Sequence, residues 1–171
     1  MLEKVKEKSF YYLFIFFVAA IVMWFFEMLY SLIFNSKLVA PGILYGTWVP
    51  IYGFGLLFCL LFINKEKNKV YNFFKIVILA TLLEFASTYY LSDFLGIHIW
   101  DYSHYPFNFD GRVALHTSLM FGVAGIIFVY VLEPLLKKAY DKLGMYAKVT
   151  SIILLILFIL DNILTFFFSV L

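Results

Sequence analysis

Ionisable side chains set inside long apolar runs are where this sequence could do chemistry. Glu27, Glu84 and Asp161 each interrupt such a run, and Asn162 follows Asp161. A charge at hydrocarbon depth costs roughly 2.5–3.5 kcal/mol on insertion scales, so acids kept there mark ion, proton or solute sites. Arg112, the only arginine, stands four residues before His116. In a helix this spacing puts a fixed cation and a titratable ring on one face. Arg112 could pair with Glu84 or Glu27 and merely set helix positions, or it could hold a phosphate group. His98, His104 and His116 with Asp101 match no standard metal-ligand spacing, so no metal is expected. An acid beside a histidine also suits acid–base work on a lipid head group.

Two stretches mix aromatic and polar residues. The first runs from Pro41 to Gly55 and contains Tyr45, Gly46, Trp48, Pro50, Tyr52 and Gly53. Read as helix, Tyr45, Trp48 and Tyr52 fall on one face. Gly42 and Gly46 then make a G-x-x-x-G contact for a neighbouring helix. Pro50 is expected to kink or break that helix. The second stretch, residues 96–112, carries Trp100, Asp101, Tyr102, Asn108, Asp110, Gly111 and Arg112. It is too polar to span a bilayer. Two readings fit, an interfacial loop held by its Trp and Tyr rings and the favoured one, a re-entrant lid, since irregular backbone at depth is tolerated only against protein or a water-lined cavity. Gly122 and Gly125 read as packing positions.

The elements that must position these groups are long apolar helices. Of 171 residues, 64% are hydrophobic, 22% aromatic and 14% charged, against about 45–50% apolar and about 25% charged in a soluble domain. The mean hydropathy is +0.95. Such a composition excludes disorder, a coiled coil and an ordinary soluble enzyme. Five runs reach the roughly 20 mostly apolar residues that a crossing needs: Phe10–Phe34, Leu44–Ile63, Tyr71–Leu91, Val113–Leu136 and Val149–Leu171. They lack the alternation of a membrane barrel. The fold expected is therefore all-α: a polytopic helix bundle of about five transmembrane helices, with a structured outer loop between the third and fourth. Residues 1–171 are read as a single integral-membrane domain. Phe10–Phe34 is longer than a signal-peptide core and is taken as a mature helix.

Lysine placement sets the expected orientation. Lys4, Lys6, Lys8, Lys65, Lys67, Lys69, Lys75, Lys137, Lys138, Lys142 and Lys148 fall on one side, which makes 11 of the 13 basic residues. Only Lys37 and Arg112 fall on the other. The positive-inside rule then places the N-terminus in the cytoplasm and the C-terminus outside. Glu27, Glu84, Arg112 and His116 all come to the outer half, with Glu133 the exception near the inner end. A polar cavity on the extracytoplasmic side is expected. The net charge of +2 gives no case for nucleic acid. Cys59 is the only cysteine, so no intrachain disulfide forms. No nucleotide-binding, zinc-protease or nucleophile-elbow motif occurs, and no cofactor is implied.

The motifs Tyr45-Gly46-Thr47-Trp48-Val49-Pro50-Ile51-Tyr52-Gly53 and Trp100-Asp101-Tyr102-Ser103, with Pro106-Phe107-Asn108, Gly111-Arg112 and Ser118, resemble a known family. Together with Trp24-Phe25-Phe26-Glu27 and Leu83-Glu84-Phe85, over about residues 10–135, the chain resembles the bacterial integral-membrane family named Putative ABC-transporter type IV. Thr47, Val49 and Phe121 depart from residues frequent in that family. The resemblance implies a transport component in a bacterial cell membrane, working with a partner ATPase or another membrane subunit. The substrate-binding residues expected are Glu27, Tyr45, Trp48, Tyr52, Glu84, Trp100, Asp101, Asn108, Arg112 and His116. A membrane-embedded enzyme acting on a lipid or isoprenoid head group, and a structural or regulatory subunit, are the alternatives.

Overall fold

The computed structural model describes residues 2–170, with side chains described for 7–34 and 36–168. The expected inner charges Lys4 and Lys6 lie outside the described side chains, and Leu171, the end of the fifth expected helix, lies outside the described residues. About 75% of the chain is helical. Helix α1 covers Leu2–Asn35, a stretch with no glycine or proline to interrupt it. Helix α2 covers Pro50–Phe62, and α3 covers Lys69–Tyr89. The Asn68 side chain caps α3 by accepting from the Val70 N–H at 2.7 Å, as a helix start requires. A π-type turn carries α3 on through Tyr90–Phe94. Helix α4, Leu115–Ile127, passes through a second π-type turn, Phe128–Leu132, into α5, Glu133–Leu143. The widened turn sits just before Pro134, whose ring would otherwise strike the preceding turn. Helix α6 covers Met145–Thr165. The only described strands are β1, Asn108–Phe109, and β2, Val113–Ala114, paired antiparallel.

Among the described residues, four helical stretches are long and apolar enough to cross a membrane: Glu7–Phe34, Lys69–Phe94, Leu115–Leu143 and Met145–Phe168. The fifth expected crossing, Leu44–Ile63, needs correction. Only Pro50–Phe62 is helical there, 13 residues, or about 20 Å at 1.5 Å per residue, against a hydrocarbon core of about 30 Å. Proline is well placed at the first helical position, and it forces the residue before it into extended backbone. The helix therefore begins at Pro50 and cannot reach back to Leu44.

The chain divides into two compact units. One comprises the chain up to Leu57 with everything from Leu136 onward. Here α1 and α6 run in the same direction: Lys148 pairs with Glu7, and the Phe158 ring packs on Phe16 and Phe17 further along. Phe16, Phe17, Ala20 and Trp48 form the core of this unit. The other unit comprises Phe58–Leu135. Its α3 and α4 run antiparallel, with the Thr81 and Ser118 hydroxyls 2.8 Å apart. A side chain on Gly122 would strike Phe73 and Val77 at 2.7 and 2.5 Å, so close packing there needs glycine. At the lysine-rich end, Lys65 pairs with Glu133 at 2.5 Å. Lys75 donates to the Phe62 carbonyl at 2.8 Å, a cation on the negative end of α2.

Candidate functional site

In the first unit, the residues between α1 and α2 return into the bundle as irregular chain. The Val49 N–H donates to the Ala20 carbonyl at 3.1 Å, and Ala20 stands at the midpoint of the 28-residue apolar stretch Glu7–Phe34. One turn on, Gly53 lies against Phe16, where a Cβ would come within 2.5 Å of the ring. Helix α2 thus starts about halfway along α1 and runs back toward the lysine-rich end. Non-helical backbone at that depth must be satisfied by protein. Asp161 of α6 does this. Its carboxylate accepts the Tyr45 N–H at 3.0 Å, the Gly46 N–H at 2.8 Å and the Trp48 indole N–H at 2.6 Å. Thr165 adds a fourth bond at 3.3 Å. Gly46 has no room for a side chain, because a Cβ would lie 2.4 Å from the Trp48 ring.

This geometry revises three sequence expectations. Tyr45, Trp48 and Tyr52 do not share a helix face: Tyr45 is 66% exposed while Trp48 is buried. Gly42 and Gly46 are not a helix-packing pair, since neither is helical. Asp161 was not among the expected site residues, although it organises the motif. The available signal was an acid in the middle of an apolar run, together with a proline-broken segment rich in unpaired donors. Glu27 and Tyr52 do meet, the phenol donating to the carboxylate in a short hydrogen bond.

In the second unit, the polar loop folds back along the far end of α3. Phe109 packs on Phe85, and the Arg112 guanidinium lies over the Tyr89 ring at 5.4 Å. Because Ser118 is level with Thr81, α4 begins level with Glu84, about 15 Å before the helical stretch Lys69–Phe94 ends. The loop is a knitted hairpin. Asp110 and Gly111 both take positive φ, 56° and 65°, as an Asp-Gly hairpin turn demands. The Asn108 side-chain Oδ1 accepts from the Gly111 N–H at 3.0 Å, and its Nδ2 donates to the Tyr105 backbone carbonyl at 2.7 Å. Trp100 donates to the Arg112 carbonyl at 3.1 Å. Asp101 accepts from the Ser103 backbone N–H at 2.8 Å and from its hydroxyl at 3.0 Å. The two Ser103 donors hold the Asp101 carboxyl below the usual carboxylate range. Trp100, Asp101 and Asn108 thus use these polar atoms inside the loop.

Arg112 and His116 separate, because Arg112 precedes β2 and only His116 is helical. Arg112 pairs with Asp93 at 2.9 Å and Asp110 at 2.9 Å, and reaches Ser92 at 3.3 Å. The two carboxylates push its guanidinium further up its already basic range. Of the pairings that the sequence leaves open, the one with Glu84 is not made: the arginine's ion-pair partners among the described residues are Asp93 and Asp110. An exposed aspartate on the same loop and another at the helix end satisfy the arginine at lower desolvation cost than a buried acid would. His116 stacks on Tyr105, which also stacks on His104, both at 4.1 Å between ring centres.

Glu84 is 3% exposed. One oxygen accepts from the Tyr102 hydroxyl at 2.9 Å. The other is buried and has no hydrogen-bond partner among the described residues. No group of three or more histidine, cysteine or acidic side chains that could hold a metal occurs among the described residues. A groove of about 290 Å³ between α1 and α6 is lined by Phe14, Phe17, Val18, Ile21, Ser151 and Leu154 among others. It includes none of the expected site residues.

No curated protein and no solved structure matches the chain. The profile of the family described as Putative ABC-transporter type IV matches residues 14–166. That match extends past the second motif to cover Asp161 and Thr165 on α6. The chain is an all-α, multi-pass membrane protein and belongs to the Putative ABC-transporter type IV family.

Proposed function

We propose that this protein is a small-solute transport component whose polar residues at the lysine-poor end face the extracytoplasmic side of a bacterial cell membrane. The single observation carrying this reading is the construction of the two inward-running helices. Both α2 and α4 start below the far end of the preceding helix, each behind an irregular segment tied to a membrane carboxylate: Asp161 for residues 45–48, Glu84 for Tyr102. Discontinuous helices with irregular backbone at depth are how many transporters build solute sites. The family description agrees in direction. The lysine asymmetry supports an N-terminus inside and a C-terminus outside. We assign solute contacts to Glu27 and Tyr52 within the first unit and to Glu84, Tyr102 and His116 within the second. Tyr45 and Trp48 shape the irregular segment of the first unit, and Trp100, Asp101, Asn108 and Arg112 shape the loop of the second. With no nucleotide-binding motif in the chain, energy comes from a partner ATPase or an ion gradient.

The lipid-enzyme alternative needs Arg112 for a phosphate, and that guanidinium is already engaged by two aspartates. A panel of amines, sugars, amino acids and nucleosides, screened by thermal unfolding of the purified protein, tests the proposal. At least one class is expected to raise the unfolding temperature. A flat response to every class, together with normal solute uptake in cells lacking the protein, would refute it.

A further inference from the structure

The unpaired oxygen of Glu84 identifies the chemistry of a ligand. Glu84 is almost fully buried, on α3 where α4 begins, under the hairpin that carries Tyr102. To stay ionised in apolar surroundings, a carboxylate needs hydrogen bonds to both oxygens and a counter-charge. The structure supplies one donor, the Tyr102 phenol, at 2.9 Å. The second oxygen has none among the described residues. The nearby cation, Arg112, is held by Asp93, Asp110 and Ser92. Lys75, on the same helix, lies nine residues toward the other end, about 13 Å away, and bonds to the Phe62 carbonyl.

What Glu84 lacks is therefore a positively charged hydrogen-bond donor. A hard metal ion does not fit, since it takes about six oxygen ligands and Glu84 belongs to no metal-holding cluster of described residues. An ammonium group fits: it donates N–H to a carboxylate and tolerates aromatic faces at its flanks. Such faces are close, with the Tyr102 and His116 rings 6.2 Å apart and Tyr105 stacked on His116. We infer that Glu84 is the acceptor for the head of a small primary amine, docked beneath Tyr102. This rests on the transport reading and names the class of solute.

The test uses the full-length protein in detergent, with methylammonium, tetramethylammonium and sodium chloride as probes at matched ionic strength. Methylammonium is expected to stabilise the wild-type protein, lowering its unfolding equilibrium constant about 11-fold at ten times its Kd. Tetramethylammonium has no N–H and is expected to act no differently from sodium. Glu84→Gln is expected to abolish the methylammonium effect, while Tyr102→Phe, which keeps the carboxylate, retains a measurable one. Should Glu84→Gln fail to fold, Glu84→Asp keeps the charge but withdraws it by one methylene, and a loss of at least tenfold in methylammonium affinity is expected. Stabilisation equal to that by sodium, or unchanged in the Glu84 variants, would overturn the inference. If the solute panel instead finds only non-amine compounds that stabilise the protein, the amine assignment falls and the transport reading stands. A protein that answers to no solute loses both.

Discussion

Replacing Asp161 by asparagine tests how the broken segment before α2 is held. The carboxylate accepts four bonds: Tyr45 N–H and Thr165 on one oxygen, Gly46 N–H and the Trp48 indole on the other. Asparagine keeps one oxygen. Two donors would then face an NH2 group that cannot accept. A hydrogen bond to a charged group contributes about 1.5–3 kcal/mol, and bonds between membrane helices run toward smaller values. Two lost bonds therefore predict a destabilisation of about 3 kcal/mol, or roughly 150-fold in the unfolding constant. Asp161→Leu, which strands all four donors, should cost more. The assay is equilibrium unfolding in detergent, with amide exchange followed at Tyr45 and Gly46. Both amides should lose protection in Asp161→Asn while the α3 amides keep theirs. Unchanged protection at Tyr45 and Gly46 would refute the proposed anchoring, whatever the global stability.

Further perturbations follow the same logic elsewhere in the chain. Gly111→Ala meets both a positive φ and an Asp101 oxygen 2.8 Å from the new Cβ; a cost of about 1–2 kcal/mol is expected, read as faster proteolysis of the hairpin. Arg112→Lys replaces a fork that reaches Asp93 and Asp110 together with a point charge, so the hairpin should open to the same protease while α4 remains protected. The Asp101 carboxyl titrates below its unfolded value, so its contribution to loop order is present above the usual aspartate range and is lost only as pH falls through the lowered folded value. Ser103→Ala should move that titration back up when followed by NMR. Tyr52→Phe removes the donor to Glu27 and is expected to weaken solute stabilisation without changing the helix content measured by circular dichroism.

The helical architecture was legible because periodicity hardly matters when every face is apolar: run length alone marks a crossing, and four runs reached it. The run Leu44–Ile63 passed the same criterion and misled, because composition cannot distinguish a crossing helix from an irregular segment followed by a half-length one. Pro50 is the clue, and from sequence its effect reads as a kink or break within a helix rather than as the helix start. Pairings were less legible than positions. Glu84 and Tyr102 stand 18 residues apart and Asp161 and Gly46 stand 115 apart, and nothing in a single sequence couples such distances. The partners of Arg112 are hidden for a related reason. Helical spacing joined it to His116, whereas the Asp-Gly turn before it sends it back to Asp93 at the end of α3. The roles of Trp100, Asp101 and Asn108 inside the hairpin depend on backbone groups, which carry no sequence signature.

Uptake in cells is the most direct test of a transport role. Cells lacking the protein, cells restored with the wild-type chain, and cells restored with Glu84→Gln would be compared for accumulation of labelled solutes across the classes in the panel. The account predicts that at least one solute class loses uptake on deletion, recovers with the wild-type chain and fails to recover with the variant at equal membrane abundance. Uptake of every class that is indifferent to the deletion would contradict it.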